Sequence, residues 1–254
     1  MTLELEIEAL HLELNEWSKN SYVAQIWWRD DDLHKPTAAL DFLLKASSTL
    51  PFKPLLAVIP SLTSKDLCSI LTGSGLAVGV HGFRHVNHEG NHEKKSEFGP
   101  SRRLQDQIDD VKNARQALYE LLGESVFDCF VPPWNRLNNS LIPHLPILGL
   151  SSLSTFGGRK SKQPCPGLLQ INTHVDIIDW KSKRAFIGGE SMAAQISNHL
   201  TQIRSKFSSK PEPLGLLSHH LQMKKEDWLE FQTVCFALEN HPAAYLTNPH
   251  ELFL

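Results

Sequence analysis

Apolar positions along the chain fall into two rhythms. At the start, Leu3, Ile7, Leu10, Leu14 and Trp17 recur at helical spacing among glutamates, which predicts an amphipathic helix with one buried stripe. Further on, short unbroken apolar runs predict buried strands: YVAQIWW (22–28), PLLAVIP (54–60), LAVGV (76–80), FDCFV (127–131), a short piece near ILGLSS (147–152), GLLQINT (167–173), PLGLLS (213–218) and AAYLT (243–247). Helical patterns lie between them. KPTAALDFLLKASSTL (35–50) has Pro36 near its first turn, while SKDLCSILTGSG (64–75) and SRRLQDQIDDVKNARQALYELLG (101–123) end on glycine. Two more helices are predicted near 190–207 and 225–239.

Strands that alternate with helices imply a parallel sheet. The strands are apolar on both sides of the pleat, as when helices cover one face and the other is interior. Seven or eight such units in a chain of 254 residues suit a closed or nearly closed β/α barrel, with a doubly wound open sheet as the second possibility. No internal repeat, low-complexity tract or linker interrupts residues 1–254, so one domain is expected.

Composition narrows the function classes. Hydrophobic residues make up 41% and charged residues 21%, and the net charge is -3, so no overall field favours nucleic acid or an acidic membrane. Cys68, Cys129, Cys165 and Cys235 are far apart, form no CxxC pair and suit a reducing compartment. No stretch approaches the ~20 apolar residues needed to span a bilayer, and glutamates interrupt the amino-terminal pattern where a secretory signal would be apolar. A cytoplasmic enzyme or binding protein is the expectation, without nucleic-acid or membrane partners; oligomeric state is not encoded in any visible pattern.

In parallel β/α folds, function collects beyond the carboxyl ends of the strands. Five segments following predicted strands are rich in chemistry there: RDDD (29–32), HGFRH (81–85), PPWNR (132–136), HVDIIDW (174–180) and HH (219–220). The opposite ends are plainer, as in SSTLPFK, TGSG, GES and SSKPEP. Each cluster also has an ordinary reading. The aspartates can cap the next helix, the histidines can be surface polar groups, PPW can punctuate the chain, and His219 and Trp180 can belong to the core. Their agreement on one rim favours chemistry. One carboxylate and two neutral imidazoles make a three-ligand site for Zn²⁺ or a similar divalent ion, which polarises a carbonyl and lowers the pKa of bound water to about 7. A second carboxylate can take a proton and a histidine can return one. This inventory fits metal-assisted hydrolysis of an amide or ester. The chain has neither the GxxxxGK[ST] loop of phosphoryl transfer nor GxGxxG after its first strand.

Adjacent aspartates, HxxxH, a proline–aromatic turn, an Asp–Trp segment and L-x-x-H, in that order, resemble the polysaccharide deacetylases (carbohydrate esterase family 4, the NodB-homology fold). The resemblance covers about residues 27–220 through RDDD, HGFRH, VPPW, DIIDW and LLSH. It is closer to divergent bacterial members with an R-x-D-D first motif than to secreted chitin deacetylases. It implies a distorted (β/α) barrel of about seven parallel strands, preceded here by the amphipathic helix. It implies removal of an N-acetyl or O-acyl group from an acetylated amino sugar, oligosaccharide or polysaccharide. It also implies a divalent metal, Zn²⁺ first, with Co²⁺, Ni²⁺ and Mn²⁺ as alternatives.

Carried over residue by residue, R-x-D-D makes Asp31 the base and Asp32 a metal ligand, and a shift by one makes them Asp30 and Asp31; Arg29 anchors the first register. His81 and His85 become the other ligands and His219 the general acid, with Asp176 or Asp179 in support. Trp134, Asn135, Arg136, Asp179 and Trp180 are implied substrate contacts, and N–H groups of the PPW turn candidate oxyanion donors. The family arginine that orients the base is replaced by Val131; Arg136, Arg29 and Arg84 are candidate substitutes, and Arg136→Ala is then expected to cost activity more than stability. His88, His92 and EKKSEFGPSRR (93–103) match no motif and are read either as a substrate lid or as a solvated loop, and His220 as structural. An amidase acting on a non-sugar substrate and a catalytically silent sugar-binding homologue are the rival readings.

Overall fold

The computed structural model describes residues 2–205 and 211–253. The elements begin α1 (Leu3–Lys19), β1 (Ala24–Leu33), α2 (Ala38–Thr49), β2 (Leu55–Val58), α3 (Lys65–Leu71), β3 (Ala77–His81), α4 (Leu104–Leu122) and β4 (Val126–Val131). They continue with β5 (Ser152–Leu153), β6 (Leu169–Gln170), β7 (Val175–Asp176), α5 (Gly189–Arg204), β8 (Leu214–Ser218), α6 (Asp227–Glu239), β9 (Ala244–Leu246) and α7 (Pro249–Leu252). The registers of β1–β9, β2–β3, β3–β4, β4–β5, β5–β6 and β7–β8 are all parallel. The fold is therefore α/β, a distorted (β/α) barrel. No described helix is long and apolar enough to cross a membrane.

The chain divides into two compact units whose segments interleave in sequence. The first takes Met1–Arg29, Thr37–Pro54 and Thr173–Leu252. In it the start of β1 pairs with β9, Ala24 opposite Ala244, and β7 pairs with β8, Val175 opposite Leu216. Its core is aromatic. The buried Trp28 ring lies 4.8 Å from Phe231, 5.8 Å from Trp228 and 5.9 Å from Phe52, and its Nε1 donates to Ser218 Oγ at 2.8 Å. That bond satisfies an indole N–H that burial would otherwise strand. Helix α1 buries Leu10, Leu14 and Trp17, as its stripe predicts. Glu13, on the same helix, is buried too, because Arg204 of α5 grips it through Nε at 2.7 Å and Nη2 at 2.8 Å while Thr201 Oγ1 donates to it at 2.9 Å. A bidentate guanidinium compensates the desolvation of the carboxylate.

The second unit takes Asp30–Pro36, Leu55–Asn172 and Phe253–Leu254. Its strand order runs β6-β5-β4-β3-β2 and reaches the carboxyl end of β1, where Ile59 N donates to Leu33 O at 2.9 Å. Strands β2 and β3 are buried at every position, so helices and loops must cover both faces. Helix α4 buries Val111, Ala114, Leu118 and Leu122 at three- and four-residue spacing and stops at Gly123, whose φ of 55° suits glycine.

Three expectations need adjustment. RDDD does not follow the first strand but lies inside β1, with Arg29, Asp30 and Asp31 buried. An added strand, β7, sits in the segment expected to be loop; it has only two residues, too few for a period to register. The helix predicted over 190–207 ends at Arg204, and positions 206 and 207 lie outside the described residues.

Candidate metal centre

Three side chains of the second unit converge. Asp32 Oδ1 lies 3.1 Å from His81 Nε2 and 3.2 Å from His85 Nε2, and one ligand atom from each residue falls within 4.8 Å of the others. This is the only group of its kind among the described residues. Asp32 comes from the end of β1, His81 from the last position of β3, and His85 from the turn beyond it. Asp32 and His85 both have positive φ, 71° and 57°, which turns their side chains out of the regular alternation. Asp32 tolerates this better than most residues, and its carbonyl oxygen lies 2.9 Å from His34 Nδ1.

The geometry fits a cation. His81 Nδ1 lies 2.9 Å from the Val131 carbonyl oxygen, an acceptor only, so Nδ1 carries the proton. In neutral His81 the Nε2 lone pair then faces a carboxylate oxygen with no hydrogen between them. A divalent ion bound to all three atoms resolves that repulsion. Tetrahedral coordination with Zn–N and Zn–O bonds of about 2.0–2.1 Å places neighbouring ligand atoms about 3.3 Å apart, close to the separations found here. His81 is almost fully buried, while the side chains of His85 and Asp32 are partly exposed.

The turn between the histidines is held by a residue the sequence reading left without a role. Glu97 is fully buried and accepts hydrogen bonds from three consecutive amides: Phe83 N at 3.2 Å, Arg84 N at 2.7 Å and His85 N at 3.1 Å. Gly82, with φ of 58°, donates its N–H to Val131 O at 3.1 Å, and a Cβ there would sit 2.5 Å from Pro133 Cγ. Thus residues 93–103 are not a uniform solvated loop: Ser96, Glu97, Phe98 and Gly99 are buried, whereas His88 and His92 are exposed. The only sequence signal was a phenylalanine and a glycine, EFG, amid polar residues.

Trp134 stands beside the candidate metal centre, its ring centroid 4.4 Å from that of His85. Trp134 and Asn135 both have positive φ, 56° and 58°. The turn uses its own amides, Asn135 N donating to Pro132 O at 2.9 Å and Arg136 N to Pro133 O at 3.3 Å, so these two N–H groups are already engaged. Arg136 is exposed and donates from Nη1 to Lys95 O at 2.9 Å. Arg84 is exposed over the Phe83 ring at 4.9 Å. Of the three arginines considered in place of the family residue, only Arg29 is buried.

The remaining residues belong to the first unit. His219 follows β8, is mostly buried, and packs edge-on against Trp180 at 4.6 Å. Its Nδ1 is buried with no hydrogen-bond partner among the described residues. Trp180 is partly exposed and donates from Nε1 to Asp176 Oδ2 at 2.8 Å, so one indole touches both Asp176 and His219. Asp179 accepts from Lys181 N and Ser182 N at 3.1 and 3.0 Å, which closes the turn after β7. His220 is buried.

No family model matches the chain, and no curated protein does. Solved structures do. The family 4 carbohydrate esterase from Streptomyces lividans, in complex with acetate, is similar with a TM-score of 0.53 at 14% identity, covering 89% of this chain and 91% of that one. The family 4 acetyl xylan esterase from Clostridium thermocellum, in complex with a cobalt ion, gives 0.54 at 14% identity over 90% of each chain. The peptidoglycan deacetylase PdaC from Bacillus subtilis, in a mutant form, gives 0.57 at 11% identity, covering 91% of this chain and 90% of that one. At such identities the likeness speaks for the backbone alone: this chain has the fold of the family 4 carbohydrate esterases and polysaccharide deacetylases.

Proposed function

We propose that this protein is a metal-dependent hydrolase that removes an N-acetyl or O-acyl group from a sugar or polysaccharide. The observation that carries the reading is the meeting of Asp32, His81 and His85 around one point, with the His81 tautomer set by Val131. Support comes also from the fold, which is that of enzymes described as carbohydrate esterases and a peptidoglycan deacetylase.

In this proposal Asp32, His81 and His85 hold the ion. Two imidazoles and a carboxylate suit Zn²⁺, and Co²⁺, Ni²⁺ or Mn²⁺ are compatible with the same donors. When bound, the ion supplies Lewis-acid polarisation of a carbonyl oxygen and makes water acidic enough to attack near neutral pH. Asp31 accepts the proton of the attacking water. His219 donates a proton to the departing amine or alcohol, and acetate and the free sugar are the products. Trp134, beside His85, offers an aromatic face to a pyranose ring. Trp180 holds the His219 imidazole edge-on, under the Asp176 hydrogen bond. Asn135, Arg136 and Asp179 are assigned to substrate contact. Arg29, which is buried and stands two residues before Asp31 in the sequence, is assigned the part of the family arginine.

A second reading, a silent sugar-binding homologue, rests on Val131, whose side chain carries no charge to orient a base. The same chemistry on a non-sugar amide is the third. Acetate release from a panel of acetylated amino sugars, measured with metal-loaded protein, separates them. Turnover that disappears in Asp31→Ala while metal content stays at one ion per chain supports the hydrolase. Metal loss in Asp31→Ala moves the ligand register to Asp30 and Asp31. A loaded wild-type protein that binds sugars yet releases no acetate overturns the enzymatic proposal.

A further inference from the structure

Amides of three consecutive residues rarely point at one spot. Here the N–H groups of Phe83, Arg84 and His85 do, and the spot is filled by the Glu97 carboxylate. Such a concavity of successive N–H groups is an anion cradle. In this chain its occupant is internal, fully buried and anchored in its own right. Ser96 accepts from His88 N at 3.0 Å through its carbonyl and donates its N–H to Asn87 Oδ1 at 2.9 Å. Arg102 Nη1 donates to Glu97 O at 3.2 Å, and the buried Phe98 ring meets Phe130 edge-on at 5.2 Å. The carboxylate therefore sits on a fixed mount.

We propose that Glu97 is a positioning residue for the metal centre: it holds the turn of residues 82–85 in the conformation that carries His85 Nε2 to Asp32 Oδ1. The inference rests on the metal-site reading above. His81 is held independently, by β3 and by the Val131 carbonyl, but His85 lies past the strand at φ of 57° and has no such tether. A histidine at positive φ persists only where its surroundings over-determine it. Three hydrogen bonds to a buried carboxylate, one of them from the His85 amide itself, are that determination. The segment around residue 97 thus shapes the turn that carries His85.

The test is a calorimetric titration of metal-free full-length protein with Zn²⁺ alone, for wild type, Glu97→Gln and Glu97→Ala, together with hydrogen exchange of the Phe83–His85 amides. Removing partners that orient ligands costs about 10–100-fold in metal affinity, and that loss is expected for Glu97→Ala. Glu97→Gln, which keeps one of two acceptor oxygens, is expected to fall between, and it carries the test should the alanine variant fail to fold. In both variants exchange at residues 83–85 is expected to speed up before metal is added, while Val78 and Val80 in β3 stay protected. Zn²⁺ affinity equal to wild type in folded variants overturns the proposal, whatever their melting temperatures. A wild-type protein that binds no Zn²⁺ overturns instead the metal reading on which it rests.

Discussion

Asp32→Asn is the sharpest perturbation of the candidate metal centre. It preserves shape and removes the negative charge of the carboxylate whose Oδ1 faces both His81 and His85, at 3.1 and 3.2 Å. Without metal the substitution should change stability by no more than about 1 kcal/mol, because the side chain is partly exposed and an amide can replace the contacts. With metal the two proteins should separate. Zn²⁺ at a hundred times its dissociation constant stabilises the folded state by about 2.7 kcal/mol. In a chain of 254 residues each kcal/mol moves the melting temperature by roughly 2–4 °C, so wild type should rise by roughly 5–11 °C. A loss of about 100-fold in affinity brings the same Zn²⁺ concentration down to the new dissociation constant. The stabilisation then shrinks to about 0.4 kcal/mol, a shift of about 1–2 °C. Thermal unfolding followed by far-UV circular dichroism, after chelation and again with Zn²⁺, reads both numbers. An asparagine variant that keeps the full wild-type shift would refute the reasoning, since the ion would then be held elsewhere.

Other expectations follow from neighbouring features. Gly82→Ala places a methyl group 2.5 Å from Pro133 Cγ at a φ of 58°, and should lower stability by about 1–3 kcal/mol and weaken Zn²⁺ binding, as read by urea unfolding and calorimetry. Asn172 is buried and accepts from Thr155 N and Oγ1, both at 3.0 Å, and from Gln170 Nε2 at 3.1 Å, while its Nδ2 donates to Gly157 O at 2.6 Å; Asn172→Ala should cost at least about 1–3 kcal/mol in urea unfolding, and a change below about 0.5 kcal/mol would contradict the role. Burial first, and then the charge of His11, holds the His241 imidazole below its ordinary 6.5; burial and then His174 do the same for His199. The unfolded chain therefore takes up protons that the folded one resists, so stability is full above 6.5 and is lost as pH falls from 6.5 through the folded-state values. His241→Asn should flatten the dependence of the urea midpoint on pH across that window, and an unchanged slope would refute the assignment.

Local patterns determined the secondary structure. Apolar runs at 55–58 and 77–80 announce strands because a strand covered on both faces must be apolar throughout. Glycine ends α4 because its positive φ is needed there. The candidate metal centre was legible in part for the same reason: HxxxH is a short-range spacing that needs no knowledge of packing, whereas the aspartate run left two registers open and the fold brings Asp32 to His81 and His85. What lay beyond the sequence was contributed by distant partners. Charged Arg29, Asp30 and Asp31 read as loop, yet they belong to a buried strand, where local pattern yields to the demands of a polar site. Val131 reads as the loss of an arginine, yet its carbonyl oxygen sets the tautomer of His81, and every residue type offers that oxygen alike. Glu97 reads as one acid in a polar stretch, and only the curl of the chain brings three amides onto it. Side-chain periodicity is written in the sequence; main-chain acceptors and the direction of N–H groups are not, so the two histidines of the candidate centre were visible in advance and the groups that hold them in place appeared only with the fold.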